Sequence, residues 1–466
     1  MLSSSLKEAI KVSLSVGIAI ALALFFQWDK PYWAAITVIA ISANETFGHG
    51  IQQGKLRILG TVVGIMYALV LISLYSQAPF LFISFFLLFL GVCVFFSDNK
   101  KYGYAFTMAF TVFSIVAMMG GTSGEASFNI AILRIQETML GVLVYSAVYR
   151  CLWPTTTESL FFDTLETVTK QFHLAKNALE QTLVNKKTLN SESEIFDNQF
   201  LINKLRELLT LPLASSSRLR HEKAKWQTIT DACGAIQTHI AQFVDDIDTA
   251  IAKKALNKSL TELNNELILL ETTISDDKKN TQVLTRYWSK NTDIEPTETN
   301  KQSNTNLLRV RLKNALTAIA ISSTCFGLWI YFAIPGGPIF PLVGAALANV
   351  TVHMPDSLIR QAKLACLAWG VLFLAEYCLV LTALTELWQL VAFYMVNMLL
   401  IYGLCGKPSL AVQRILGGNL LLIMTMNALH GTPQYEIITP LFMLIMMLIC
   451  LSVARFYTRL LQIEPK

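Results

Sequence analysis

The 466-residue chain contains 53% hydrophobic and only 15% charged residues, and its formal net charge is +5. Soluble proteins carry roughly a quarter charged residues, so this chain lacks the charge that a water-exposed surface needs. Residues 155–306 carry a net charge of −3, and the residues on either side of them carry +8. Two apolar blocks therefore flank a polar insert. This excludes a soluble single-domain enzyme, a disordered protein and a disulfide-stapled secreted domain, and indicates an integral membrane protein.

Each apolar block divides into six segments that are candidates for membrane-spanning helices. A helix needs about 20 apolar residues to cross a bilayer. The segments of the first block are 9–26, 33–44, 57–75, 79–96, 102–119 and 129–153. Those of the second block are 312–333, 338–352, 360–382, 387–404, 410–428 and 438–456. The predicted fold class is therefore an all-α polytopic membrane protein with about twelve transmembrane helices.

The lysines and arginines of the two blocks predict the orientation in the membrane. With the N-terminus inside, seventeen of them fall on the inner side, and only Lys30 and Arg134 do not. Cytoplasmic loops of membrane proteins are enriched in these residues. Both termini and the insert 155–306 are therefore predicted to be cytoplasmic. The positive charge reflects this topology and does not indicate a nucleic-acid partner.

The two blocks follow one plan, in which a full-length first span leads through a proline-containing turn into a short second span. An even number of spans in each block makes them parallel six-helix repeats, related by an axis along the membrane normal. The predicted domains are 1–154 and 307–466, which form the membrane blocks, and 155–306, which lies between them.

The insert carries three apolar stripes at helical spacing, beginning at Phe161, Trp226 and Leu260. Such stripes are typical of amphipathic helices that bury a common core. A small helical bundle is therefore favoured over a ligand-binding domain. Residues 289–306 are rich in polar side chains and are interpreted as a flexible return linker.

The short second spans predict a binding site, because short or Pro/Gly-interrupted spans at matching positions of two halves mark substrate sites in many transporters. One opens with Lys30, Pro31, Tyr32 and Trp33 and closes near Asn44. The other opens with Pro335, Gly336, Gly337 and Pro338 and closes with Asn349 and His353. Helix N-termini attract anions. The candidate substrate-binding residues are those at the opening and closing ends of the two short spans, namely Lys30, Tyr32, Trp33, Asn44, Asn349 and His353. The alternative is an interfacial aromatic belt with ordinary turns.

Arg134 and Glu137 lie inside the sixth segment, one helical turn apart. Ionisable residues within a membrane normally face a bundle interior or a water-filled cavity. We expect Arg134 to attract an anionic substrate and Glu137 to exchange a proton. The alternative is a structural ion pair that holds this helix to its neighbours. Glu376 in the ninth segment is a weaker candidate of the same kind.

No phosphate loop, nucleophile elbow, zinc-protease motif or nucleotide-binding fingerprint occurs in the sequence. ATP hydrolysis, an enzymatic role, a metal and a cofactor are therefore not expected. Gly60 and Gly64 form a small-residue face that permits close helix packing, including packing in a homodimer. Arg57 is expected to reach lipid phosphate at the inner interface.

Four short motifs, taken in order, resemble those of the fusaric acid resistance protein-like family, which includes aromatic acid exporters. They are Pro31-Tyr32-Trp33-Ala34, Arg57-Ile-Leu-Gly60-Thr61-x-x-Gly64, Arg134-x-x-Glu137-x-x-x-Gly141 and Leu152-Trp153-Pro154. The resemblance covers residues 9–154. It implies a bacterial inner-membrane exporter of aromatic or other carboxylic acids, working with a periplasmic adaptor protein and an outer-membrane channel.

The predicted function is therefore export of organic carboxylate anions, coupled to protons. A passive anion channel of the plant malate type is one alternative, and a non-transporting membrane scaffold is another. A channel would give an ohmic anion current that does not depend on a pH gradient.

Overall fold

The computed structural model describes residues 4–44, 46–99, 101–121, 123–154, 156–185, 198–211, 216–248, 253–275, 299–332, 334, 337–407, 410–430 and 435–461. The regular structure of these residues is entirely helical. The predicted all-helical fold is therefore confirmed for this part of the chain.

Six helices make up the first membrane block, and their bounds follow the predicted segments closely. They are α1 (Ser4–Phe25), α2 (Tyr32–Ser42), α3 (Phe47–Tyr75), α4 (Pro79–Ser97), α5 (Gly103–Met119) and α6 (Gly124–Cys151). The largest difference is at α3, which starts well before the predicted position 57. Its first turns are polar and so carry no hydropathy signal, although glutamine, lysine and leucine favour a helix there.

The second membrane block also contains six α-helices. They are α12 (Thr299–Phe332), α13 (Ile339–Thr351), α14 (Asp356–Leu379), α15 (Leu387–Leu404), α16 (Ala411–Met424) and α17 (Ile438–Leu461). Short 3₁₀ turns follow α14 and α16. The interpretation of residues 289–306 as a linker was wrong for residues 299–306, which form the start of α12. Residues 289–298 lie outside the described residues, as do Pro335 and Gly336.

Eight of these twelve helices are long and apolar enough to cross a membrane. The other four are shorter apolar helices, namely α2, α5, α13 and α16. The eight long helices confirm the prediction of a multi-pass membrane protein.

The chain divides into two compact units. One contains residues 1–45, 50–154 and 301–466, and the other contains 46–49 and 155–300. The second unit includes α7 (Thr157–Asn185), α8 (Gln199–Thr210), α9 (Ser217–His221), α10 (Lys223–Asp248) and α11 (Lys253–Ser275).

The core of the second unit is built from the apolar stripes seen in its sequence. Phe161, Phe172, Trp226 and Ile240 are all fully buried in one cluster. Cys233 lies in the same cluster, and burial raises the pKa of its thiol to about 12. This cysteine is therefore a packing residue with little thiolate character.

Gly60 and Gly64 place α3 directly against α5 of the same chain. A Cβ atom at Gly60 would lie 2.4 Å from the carbonyl oxygen of Ala105, and one at Gly64 would lie 2.3 Å from that of Ala109. Because α5 already covers this face, it is not free for a second copy of the chain. The glycine pair therefore does not support a homodimer formed through this face.

Gly141 likewise allows α6 to pack closely against α2. We expect Gly141→Ala to lower the free energy of unfolding by about 1–3 kcal/mol through overpacking. The new Cβ atom would lie 2.6 Å from Cβ of Thr37 and 2.7 Å from the carbonyl oxygen of Ala34. Thermal unfolding of the purified protein in detergent measures the effect. Gly327→Ala is the matched control, because a Cβ atom there meets nothing within 4 Å. Equal behaviour of the two variants would contradict the close contact.

Candidate functional site

The short helix α2 is buried over nearly its whole circumference because nearly all of its residues are apolar. It packs against α1 and α6 of its own block and against α16 of the second block. Pro31 precedes its first turn, and the segment from Phe26 to Lys30 leads into it from α1. A helix enclosed in this way holds its terminal side chains in fixed positions between the two blocks.

Arg134 of α6 stacks on Trp33 at the start of α2. Its guanidinium carbon lies 3.5 Å from the centre of the Trp33 ring, and the residue is only 5% exposed. The Tyr32 ring lies beside the Trp33 ring, with 5.3 Å between their centres. A cation over the face of a tryptophan is attracted by the electron-rich ring, most strongly when both are desolvated. The sequence motif on α2 and the charged pair on α6 therefore form one cluster.

Glu137 completes this cluster from the next turn of α6. It is 1% exposed, and its Oε2 atom lies 3.5 Å from Nη1 of Arg134. That ion pair lacks hydrogen-bond geometry, so neither carboxylate oxygen has a hydrogen-bond partner. The predicted i, i+3 pairing of Arg134 with Glu137 is therefore present, but it leaves the carboxylate unsatisfied.

Two donors in the cluster are also without acceptors. Nη2 of Arg134 and Nε1 of Trp33 are buried and make no hydrogen bond. Leaving a buried polar group unpaired costs about 1–3 kcal/mol, and more when the group is charged. Such groups are rare in folded proteins and need a specific explanation. Two unpaired donors beside two aromatic rings could donate hydrogen bonds to a carboxylate.

Lys30 lies in the segment between α1 and α2 and is half-buried. Burial lowers its pKa, and the positive charge of Arg134 lowers it further. Glu137 and Asp29 act in the opposite direction. Lys30 is therefore close enough to the Arg134–Glu137 pair to interact with both charges.

The other three predicted site residues have contacts elsewhere. Asn44 donates from Nδ2 to the carbonyl oxygen of Ile41 at 2.6 Å, at the opposite end of α2 from Trp33. Asn349 is fully buried and donates to the carbonyl oxygen of Thr107 in α5 at 3.0 Å. These contacts cap one short helix and fasten the other, and neither of them involves Arg134.

His353 follows the other short helix, α13, and contacts the end of α4. Its Nε2 atom lies 2.9 Å from Oγ of Ser97, and its Nδ1 atom lies 3.3 Å from a carboxylate oxygen of Asp98. Burial lowers the pKa of His353, and Asp98 partly offsets this effect. These contacts join the second block to the first. They involve the end of α4 and the residues after α13, and neither contact involves α2.

Two further expectations concern Arg57 and Glu376. Arg57 donates from Nη1 to the hydroxyl oxygen of Tyr104 at 3.0 Å. Glu376 is half-buried in α14 beside Asn397 of α15. Neither residue belongs to the cluster around Trp33.

The sequence interpretation missed Tyr145 on the same face of α6. It is 1% exposed, and its hydroxyl group has no hydrogen-bond partner. The signal was present in the spacing, since Glu137, Gly141 and Tyr145 follow one another at intervals of four residues.

Comparison with known sequences supports this description of the first block. The sequence model of the fusaric acid resistance protein family matches residues 6–231. This match confirms the family resemblance. The matched range contains all five clustered residues, from Lys30 to Glu137, and extends into α10. The region that matches the family model therefore includes the buried site.

Curated relatives align with part of the chain. One is described as p-hydroxybenzoic acid efflux pump subunit AaeB, from Musicola paradisiaca strain Ech703, and is 33% identical over 148 residues. Proteins of the same description from Edwardsiella tarda strain FL6-60 and Yersinia pestis strain Pestoides F are both 29% identical to this chain, over 147 and 148 residues respectively. The alignments cover 29–30% of this chain and 23% of each relative. The chain therefore matches less than a quarter of the length of these relatives.

Proposed function

We propose that this chain exports aromatic carboxylate anions across the bacterial inner membrane, with transport linked to proton movement. The observation that carries the proposal is the buried guanidinium of Arg134, stacked on Trp33 with an unpaired Nη2 atom. The match of residues 6–231 to the fusaric acid resistance family model and the efflux function in the names of the relatives also support the proposal.

The clustered residues would have separate tasks. The substrate carboxylate would accept hydrogen bonds from Nη2 of Arg134 and Nε1 of Trp33, while its ring would lie against Tyr32 and Trp33. Charge-assisted hydrogen bonds of this type are about twice as strong as neutral ones. Lys30 would attract the anion at the outer entrance. The site can thus recognise both the charge and the ring of one small molecule.

Glu137 would carry the linkage to protons. The substrate carboxylate and the Glu137 carboxylate compete for the single guanidinium of Arg134. A buried carboxylate that loses its counter-charge is strongly stabilised by taking up a proton. Substrate binding and the protonation of Glu137 would therefore depend on each other.

We also propose that all twelve helices of the two blocks cross the membrane as two parallel six-helix repeats. Two observations support the repeat. The four shorter helices, α2, α5, α13 and α16, are the second and fifth helices of each block. In addition, α2 packs against α16 while α13 packs against α5, so the same pairing occurs twice. Both termini and residues 155–306 would face the cytoplasm, with 1–154 and 307–466 forming the membrane domains.

The relatives are named as subunits of an efflux pump. We therefore propose that this chain works with other subunits, a periplasmic adaptor protein and an outer-membrane channel, to carry the substrate out of the cell.

Flux measurements in proteoliposomes test the proposed function. The full chain should support p-hydroxybenzoate flux that saturates with concentration and responds to an imposed pH gradient. Uncharged p-hydroxybenzamide should be transported at least about tenfold less well, because it cannot form the charge-assisted contact with Arg134. A non-saturating current that follows voltage alone would indicate a passive channel instead. Absence of flux would leave a scaffold role.

A further inference from the structure

The inner end of α2 carries a second guanidinium stacked on an aromatic ring. Arg414, in the first turns of α16, has its guanidinium carbon 5.4 Å from the centre of the Tyr402 ring. Tyr402 belongs to α15 and is 2% exposed, and its hydroxyl lies 3.3 Å from Oγ of Ser42 at the end of α2. Both ends of the same enclosed helix are therefore occupied by an arginine on a ring.

The packing of α16 against α2 explains why Arg414 lies there. A Cβ atom at Gly418 would lie 3.3 Å from Cδ1 of Ile39. Arg414 is one helical turn before Gly418 and so lies on the same face of α16. Since α2 ends three residues after Ile39, this face places Arg414 near the end of α2, where Tyr402 lies between it and Ser42.

Buried polar atoms near the Ser42 end of α2 lack hydrogen-bond partners, as they do near its Trp33 end. Nε of Arg414 and the hydroxyl group of Tyr145 are buried without hydrogen-bond partners. Gly50 makes room for the Tyr145 side chain, because a Cβ atom at position 50 would collide with the tyrosine hydroxyl oxygen. The ring of Tyr149 lies 4.2 Å from the ring of Tyr145.

The nearby carboxylate, Glu8, is already engaged. It forms an ion pair with Lys11 and accepts a hydrogen bond from the hydroxyl group of Tyr149 at 3.3 Å. Within the described residues, Arg414 takes part in no ion pair. The positive charge at the inner end of α2 thus has no resident anion, in contrast to Arg134, which has Glu137.

We propose that Arg414, Tyr402, Ser42 and Tyr145 form a second, inner binding site for the aromatic carboxylate, which the substrate occupies before it reaches Arg134. This inference rests on the proposed function. The 11 residues of α2 separate the two sites by about 16 Å at 1.5 Å per residue. A single-ring acid is too short to contact both arginines at once, so they are separate stations along α2.

Membrane vesicles of opposite orientation test the inner site with p-hydroxybenzoate. In inside-out vesicles, Arg414→Gln should raise the half-saturating concentration at the cytoplasmic face about tenfold or more, because a charge-assisted contact is lost. In right-side-out vesicles, the half-saturating concentration at the outer face should change less than about twofold. Arg360→Gln is the matched control, since Arg360 is an exposed arginine near the start of α14.

A binding measurement keeps the test independent of turnover. With transport disabled by Arg134→Gln, the purified chain should retain one site for p-hydroxybenzoate, and the additional change Arg414→Gln should remove it. Equal behaviour of Arg414→Gln and Arg360→Gln in both assays would overturn the inner site and assign Arg414 to lipid phosphate or to the C-terminus of α2. Failure of the proposed function itself would look different, because the unchanged protein would then show no saturable flux.

Discussion

Replacing Arg134 with glutamine is expected to lower p-hydroxybenzoate flux at least about thirtyfold. The guanidinium is the strongest donor in the cluster around Trp33, and its Nη2 atom is unpaired. Truncating one partner of a buried hydrogen-bonded charge pair costs about 2–5 kcal/mol or more, and each 1.4 kcal/mol is a factor of ten. Initial rates of flux in proteoliposomes, at equal amounts of folded protein, measure the loss.

A double variant separates a binding role from a structural one. Arg134→Gln alone leaves Glu137 buried without a counter-charge, which also destabilises the fold. Adding Glu137→Gln removes that charge and should restore thermal stability. If the pair only fastens α6 to its neighbours, the double variant will recover flux as well. Recovered flux would therefore refute the role of Arg134 in binding the carboxylate, whereas recovered stability without flux would support it.

The helices were predictable because the signal that defines them is local. Apolar segments such as 79–96 and 387–404 coincide almost residue for residue with α4 and α15. The early parts of α3 and α12 could not be found in this way. They continue as helix beyond the apolar segment, where hydropathy no longer distinguishes helix from loop.

The site was only half predictable for a similar reason. The pairing of Arg134 with Glu137 follows from spacing on one helix, which the sequence shows directly. The stacking of Arg134 on Trp33 depends on how closely α6 approaches α2. Gly141 was the only sequence signal for that approach, since it removes the side chain that would meet Thr37.

Asn44, Asn349 and His353 were grouped with Trp33 because both short segments were expected to meet at one site. The structure packs α2 against α16 and α13 against α5, so the two short helices have different neighbours. Asn44 is in addition separated from Trp33 by the length of α2. The positions of these three residues depend on contacts between helices that are distant in sequence, and no local sequence pattern predicts such contacts.

The two blocks differ in the chemistry at their sixth helices. In α6 the buried face carries Arg134 and Glu137, whereas in α17 the buried residues include Met446, Cys450 and Leu451. The cluster beside α13 is correspondingly apolar and is formed by Phe340, Cys325, Met446 and Cys450. Of the two sixth helices, only α6 has charged residues among its buried side chains.

Replacing Glu137 with glutamine is expected to make p-hydroxybenzoate flux independent of an imposed pH gradient. Glutamine has nearly the same shape as glutamate but cannot gain or lose a proton in this range, so substrate binding at Arg134 can no longer be linked to protonation at position 137. The substrate site itself should remain, because its donors belong to Arg134 and Trp33. Exchange of labelled for unlabelled p-hydroxybenzoate without a gradient should therefore stay within about threefold of the unchanged protein, as expected for a contact worth less than 1 kcal/mol.

Glu125→Gln is the matched control for this change. Glu125 is an exposed glutamate in the first turn of the same helix, α6, and it has no place in the cluster. Its replacement should leave both exchange and the response to the pH gradient as they are. Full gradient-driven flux in the Glu137→Gln protein would exclude Glu137 as the proton carrier while leaving the carboxylate site at Arg134 intact. Loss of exchange together with gradient-driven flux would instead show that Glu137 is needed to hold Arg134 in place over Trp33.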